Sequence, residues 1–168
     1  MITPDYVRMM TGYSTEMNRR IYAAAALMTD EQRKQDRGLF WKSLHGTLNH
    51  LVWGDMQWMS RFTNSEKPPV GGKQSDSLFD DFAALRCARE AMDARLTIWA
   101  GAVDDAWLAS DQRWHSGAAG RDMTAPRQML MVHFFNHQTH HRGQAHAALT
   151  AFGHDPGDTD LFLIIGGP

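Results

Sequence analysis

Asn136-His137-Gln138-Thr139-His140-His141-Arg142-Gly143-Gln144 closes the last long helical pattern of the chain, and its reading decides the fold. Five of the nine histidines lie between His133 and His146. On an α-helix at 100° per residue, His133, His137 and His141 fall along one face, His140 sits beside them, and Gln144 extends the row by one turn. Several neighbouring imidazoles on a buried face must each find a partner or remain costly unsatisfied groups. A metal ion is one solution. His137 and His141, at i and i+4, can each turn a ring nitrogen to one ion about 2 Å away. The pattern H-x-x-x-H is weak by itself and needs a third ligand. The alternative is a hydrogen-bonded polar core.

Working back from this stretch, Thr124-Ala125-Pro126 is expected to start the histidine helix, which runs to Phe152 and stops at Gly153. Before it, Asp104 to Thr124 keeps no helical period, and Ser116 to Gly120 suggests a turn between two short extended pieces. Trp107, Trp114 and His115 are candidates to line a pocket there, with Trp114 also suited to fill a gap in the core. A third helix is expected to carry Leu78, Phe82, Leu85, Ala88, Met92, Leu96 and Trp99, capped by Ser75 or Asp76. Its Cys87 reads as a small buried or half-buried residue with no sign of a nucleophile. Asn64 to Asp76, with Pro68-Pro69 and Gly71-Gly72, reads as a long surface connection.

The second helical pattern begins near Ser43, with Leu44, Leu48, Leu51, Trp58 and Phe62 on one face. His50 lies at the edge of that stripe, and Gly46, Thr47 and Gly54 beside it are small. Small neighbours leave room next to the ring for an ion or a ligand. Asp55 falls inside the apolar stripe, so it needs a hydrogen-bonding partner: a histidine it orients, or an Arg or Trp elsewhere. His45 faces another way and reads as structural. The first helix opens on Thr3-Pro4 and presents Tyr6, Met10, Tyr13, Met17, Ile21, Ala24 and Met28. After Gly153, His154 to Gly157 turns, and Leu161 to Ile165 is a short apolar run suited to pack on the bundle or on a second subunit.

Four long amphipathic segments without a convincing strand pattern point to one all-α domain over residues 1–168, an antiparallel four-helix bundle with a long loop before the last helix. A chain of 168 residues with 43% hydrophobic content suits one domain with a substantial core. Its formal net charge of -2 offers no basic field for a phosphate backbone, so nucleic-acid binding is not expected. Asp5, Arg8, Glu16 and Arg19 stand where a signal peptide needs an apolar stretch, and no uncharged run reaches membrane-spanning length. The expectation is a cytoplasmic protein without a membrane partner. The single cysteine fits a reducing compartment and excludes a Cys-rich zinc framework. There is no Glu-x-x-His pair for a di-iron centre, no haem-attachment motif and no His-Glu-x-x-His. In a bundle, His50 of the second helix can meet His137 and His141 of the fourth. Three histidines without an obvious fourth ligand describe an open site, as in catalytic zinc.

These pieces resemble the DinB/YfiT-like family of bacterial four-helix-bundle metalloproteins. The resemblance is carried by Leu48-Asn49-His50-Leu51 with Trp53-Gly54-Asp55, by His133 through Gln144, and by the ending Gly153-His154-Asp155-Pro156 with Asp160-Leu161. It implies that His50, His137 and His141 are metal ligands, that the ion is a divalent metal, nickel or zinc, and that the protein is a homodimer. His133 and His140 are motif members that either close the coordination or support it, as Asp55 and Gln144 would. The resemblance further implies a metal-dependent thiol S-transferase, acting on a low-molecular-weight thiol and a small electrophile. Two alternatives stand beside it: a metal-dependent hydrolase and a non-enzymatic, metal-stabilised stress-response dimer.

Overall fold

The computed structural model describes residues 2–117 and 119–166. Four long helices, α1 (Pro4–Ala25), α3 (Leu44–Thr63), α4 (Phe82–Ala102) and α6 (Arg127–Ala151), form the bundle. Short helices α2 (Asp30–Lys34), α5 (Asp105–Ala109) and α7 (Leu161–Ile165) and a hairpin of β1 (Asp111–Ser116) and β2 (Arg121–Pro126) occupy the connections. No helix among the described residues is long and apolar enough to cross a membrane.

The helix starts follow local chemistry. The Thr3 hydroxyl accepts from the Tyr6 amide with Pro4 in the first turn, as the sequence suggests. Two boundaries differ from expectation. α4 starts at Phe82 under an Asp81 cap, while Ser75 and Asp76 belong to a 3₁₀ turn, Gly72–Ser77, that folds back over α3. α6 starts at Arg127, because Thr124 and Ala125 pair with Arg113 and Gln112 in the hairpin. The two extended pieces are therefore real strands, joined to a short helix, α5, that the sequence does not announce. Cys87 is exposed on the outer side of α4 and not half-buried.

α1 packs on α4 and α6, and α3 packs on the same two, so the consecutive helices α1 and α3 lie diagonally. Their directions can be read from paired residues. Asp55 meets Arg89 and Phe62 meets Trp99, so α3 and α4 run the same way. Tyr6 meets Phe135 and Ser14 meets Gln138, so α1 and α6 also run together. α3 opposes α6, where His50 meets His141 and Trp58 meets His133, and α1 opposes α4, where Tyr22 meets Phe82 and Asn18 meets Asp93. The four-helix bundle is as expected, but the antiparallel arrangement holds for only two of its four neighbour pairs, since α3–α4 and α1–α6 run parallel. The segment 64–81 makes this possible. α3 has 20 residues and is about 30 Å long, a distance that such a connection can easily retrace.

The apolar core is split. One cluster, with Val7, Met59, Leu96, Phe134 and Phe135, fills one end of the bundle, and another, with Ile21, Leu48, Leu85 and Leu149, fills the other. Between them lies a belt of buried polar side chains: Ser14, Asn18, Asp55, Arg89, Asp93 and Gln138. α7 leans on α1 and leaves Phe162 and Leu163 largely exposed.

Candidate metal centre

Ser43 caps α3 through the Gly46 amide, which sets the phase of the helix and turns His50 toward α6. Gly46 is required here: a Cβ would lie 2.4 Å from the Trp41 carbonyl oxygen. That contact holds the segment before α3 close enough for Trp41 to stack on the His50 ring, with centroids 4.3 Å apart at 26°. Trp53 lies nearly parallel to the same ring at 5.7 Å, and its indole N–H donates to the Val70 carbonyl.

Across the seam, α6 presents His137 and His141 one turn apart. The rings of His50, His137 and His141 lie with centroids 4.6 to 5.1 Å from one another. Each offers a ring nitrogen, and the three nitrogens lie within 4.8 Å of one another. Gly54, one turn after His50, makes room: a Cβ there would meet His137 Cε1 at 3.1 Å. The two helices meet as the sequence reading expects, but the small residues answer to Trp41 and His137, and Trp41 and Trp53 occupy the space beside the His50 ring.

Hydrogen bonding fixes which nitrogens face inward. The Ser75 hydroxyl donates to the Gly72 carbonyl at 2.8 Å, so its oxygen is left to accept from His50 Nδ1, 2.8 Å away. His50 Nε2 then carries no proton and points at His137 Nε2, 3.1 Å off. His141 Nδ1 stands 3.1 Å from Gln144 Oε1, an acceptor, so His141 Nε2 is also bare. The Gln144 amide in turn donates to His140 Nε2 at 3.2 Å. The His50–His137 spacing suits one proton, carried by His137 Nε2, or a cation in its place. Ligands about 2 Å from one ion in tetrahedral arrangement stand about 3.3 Å apart, close to the His50–His137 spacing. The donor set, three imidazoles whose outer N–H groups are anchored in two cases, fits a borderline divalent cation.

Electrostatics agrees. Burial, with smaller contributions from His137 and His141, pushes His50 down to about 3, and burial with His141 and the other neighbouring histidines pushes His137 down to about 4. Burial also lowers His141 and His133. The rings are held neutral at pH 7, the form that binds metal.

The remaining sequence candidates sit around this trio. His133 packs on Trp58, its ring centroid 5.9 Å from His137, and stays outside the cluster. His140 is exposed and bears on His141 through its ring and through Gln144. Asp55 takes the second of its two foreseen options. Arg89 donates to one carboxylate oxygen at 2.6 Å and Gln138 to the other at 2.8 Å, and neither bond goes to a histidine. His45 is structural, its Nε2 2.8 Å from the Phe79 carbonyl. Ser75, Trp41 and Trp53 are the site residues that sequence reasoning did not assign. Only the Gly- and Ser-rich make-up of the 64–77 segment hinted that it would fold back. Trp114 and His115 do line a cleft, together with Arg61, whereas Trp107 packs on Phe62 and Trp99.

Among solved structures, the chain is similar to YfiT from Bacillus subtilis, described as a probable metal-dependent hydrolase with an unusual four-helix bundle topology. The match covers 92% of each chain at a TM-score of 0.70 and 14% identity, and it establishes a shared fold. No curated protein matches the chain. The model of the DinB family matches residues 1–165, which include all four long helices and every histidine of the cluster. The chain belongs to the DinB family.

Proposed function

We propose that His50, His137 and His141 hold one divalent metal ion and that the protein is a metal-dependent enzyme. The observation that carries this reading is the pair of unprotonated nitrogens on His50 and His141, turned into a cluster that contains no fourth His, Cys, Asp or Glu among the described residues. A bound ion with an open position would lower the pKa of a thiol or a water that shares it. Ser75 and Gln144 orient two of the rings, while Trp41 and Trp53 shield His50 from solvent. Nickel and zinc both suit imidazole donors.

Two reactions follow from different observations. The cluster has no carboxylate, and Asp55 is occupied by Arg89 and Gln138, so the site offers no acidic general base. That favours thiol S-transfer, where the nucleophile needs no separate base once its thiol is ionised. His133 favours hydrolysis instead: its ring follows His137 on the same face and is held neutral, ready to accept a proton from water. The resemblance to a family of homodimers, with Ile98 and Phe162 exposed, supports a dimer, which sedimentation would test. Metal-loaded protein assayed with low-molecular-weight thiols plus electrophiles, and separately with ester and amide substrates, separates the reactions. Activity lost in His137→Ala supports the metal-dependent reading. A loaded protein that binds no thiol rules out transfer. One inactive in both assays supports a metal-stabilised, non-catalytic dimer.

A further inference from the structure

A cleft of about 380 Å³ opens between the end of α3 and the hairpin, lined by Gln57, Arg61, Lys67, Arg113, Trp114 and His115 among others. Three of its side chains are cations. None of them forms an ion pair among the described residues, and no Asp or Glu lines the cleft. Asp122 bonds His115 at 2.8 Å, with both side chains largely exposed. Arg61 is the fixed member. Its guanidinium lies 4.4 Å over the Trp58 ring and 5.6 Å from Trp114. A guanidinium placed on an aromatic face keeps its N–H edge free for a planar anion. In a chain of net charge -2, three unpaired cations in one cleft are not a general surface property.

The cleft is also in line with the histidines. His50, Gly54, Gln57 and Arg61 lie within about 60° of one another around α3. On the facing helix, His133 touches both Trp58 and His137, so it bridges the two places. Arg61 follows His50 by eleven residues, about 16 Å along the axis, and both side chains lean the same way, so the gap between the two groups is on the order of 15 Å.

We infer that the Arg61 cleft seats the anionic group, carboxylate or phosphate, of an elongated small-molecule substrate whose reacting end lies at the histidine cluster. This rests on the metal-dependent reading for the reacting end, while the anion site stands on its own residues. Arg61 makes the planar contact, and Lys67 and Arg113 add charge from the loop and from β1. The cleft is too small for a folded partner, and its position selects ligands of a given length.

The test titrates metal-free full-length protein with glutarate and, separately, inorganic phosphate, following the Trp indole and Arg side-chain NMR signals. Saturable shifts at Trp58, Trp114 and Arg61 are expected, with affinity falling about tenfold or more in Arg61→Gln and partly restored in Arg61→Lys. The preferred probe identifies the anion class. Binding should be unchanged in His137→Ala and in the distant Arg86→Gln. In cobalt-loaded protein, bound glutarate protons should relax faster than in the His137→Ala variant. No saturation by either probe, or equal affinity in Arg61→Gln with its fold intact by circular dichroism, overturns the anion site. Binding without cobalt relaxation, when the protein does hold cobalt, overturns the link to the histidines. Failure to bind any metal while glutarate still binds counts against the metal reading alone.

Discussion

Two sets of buried polar side chains lie side by side in the middle of this bundle, and they solve burial in opposite ways. In the belt, Arg89 bonds Asp55, Gln138 bonds Asp55, Ser14 bonds Gln138 and Asn18 bonds Asp93. Each of these contacts joins a donor to an acceptor. In the histidine cluster, the outer nitrogens of His50 and His141 are similarly anchored, but the inner ones converge with His137, which has one ring N–H to share among them. The belt is closed largely by such pairs, with Arg89 Nε left over, whereas the cluster gathers three like ring nitrogens that one cation can satisfy together. Burial of polar groups alone therefore does not mark a site. Convergence of like groups does.

The largest effect should come from breaking the belt. Asp55→Ala leaves the almost fully buried Arg89 guanidinium with Asp93 as its remaining carboxylate and takes the acceptor from the Gln138 amide, and unfolding measured in urea should show a loss of about 3 kcal/mol. The folded fraction should still take up metal, since Asp55 bonds no histidine; loss of metal from well-folded Asp55→Ala would merge the two sets into one. Next comes the anchor of His50. Ser75→Ala frees the ring, and metal affinity, followed by competition with a chelator, should drop about 10- to 100-fold with little change in metal-free stability.

How far such roles can be read without coordinates differs between the two sets. His137 and His141 are legible because helical spacing alone puts them on one face, and His50 because Gly54 and Thr47 leave space beside it. The bundle reading brought the three together, and the family resemblance implied that they are ligands. Asp55 was legible as a group in need of a partner, but Arg89 lies 34 residues away and no local pattern selects it over other arginines. Ser75 carried the signal of a helix cap. It serves instead as the acceptor for His50 because 64–81 retraces α3, a long-range event. The same retracing puts α3 and α4 in one direction, which amphipathic stripes cannot report, since a stripe has no sense of direction.

A smaller perturbation is to fill the space that Gly54 leaves. Its Cβ contact with His137 Cε1 would be 3.1 Å, so Gly54→Ala should push the ring by a few tenths of an ångström. A several-fold weaker metal affinity by calorimetry is expected, with stability equal to or above that of the parent because Ala favours helix. An unchanged affinity would mean that the ring position is not critical. The mildest test is pH. Burial holds His50 near 3 and His137 near 4, both below the unfolded value of 6.5. Between those values the unfolded chain binds more protons, so metal-free stability is at its full value above about pH 6.5 and falls as pH drops toward 4. Denaturant midpoints across that range would show the slope, and His50→Ala and His137→Ala should each flatten it.

The most direct test of the account is metal content with X-ray absorption on untagged protein, for the parent chain and for His50→Ala. One divalent ion per chain is expected, bound by three imidazoles and an exchangeable light ligand, and lost in the variant. A parent chain that binds no ion when offered nickel or zinc, or a variant that keeps it, would contradict the account and return the cluster to the polar core.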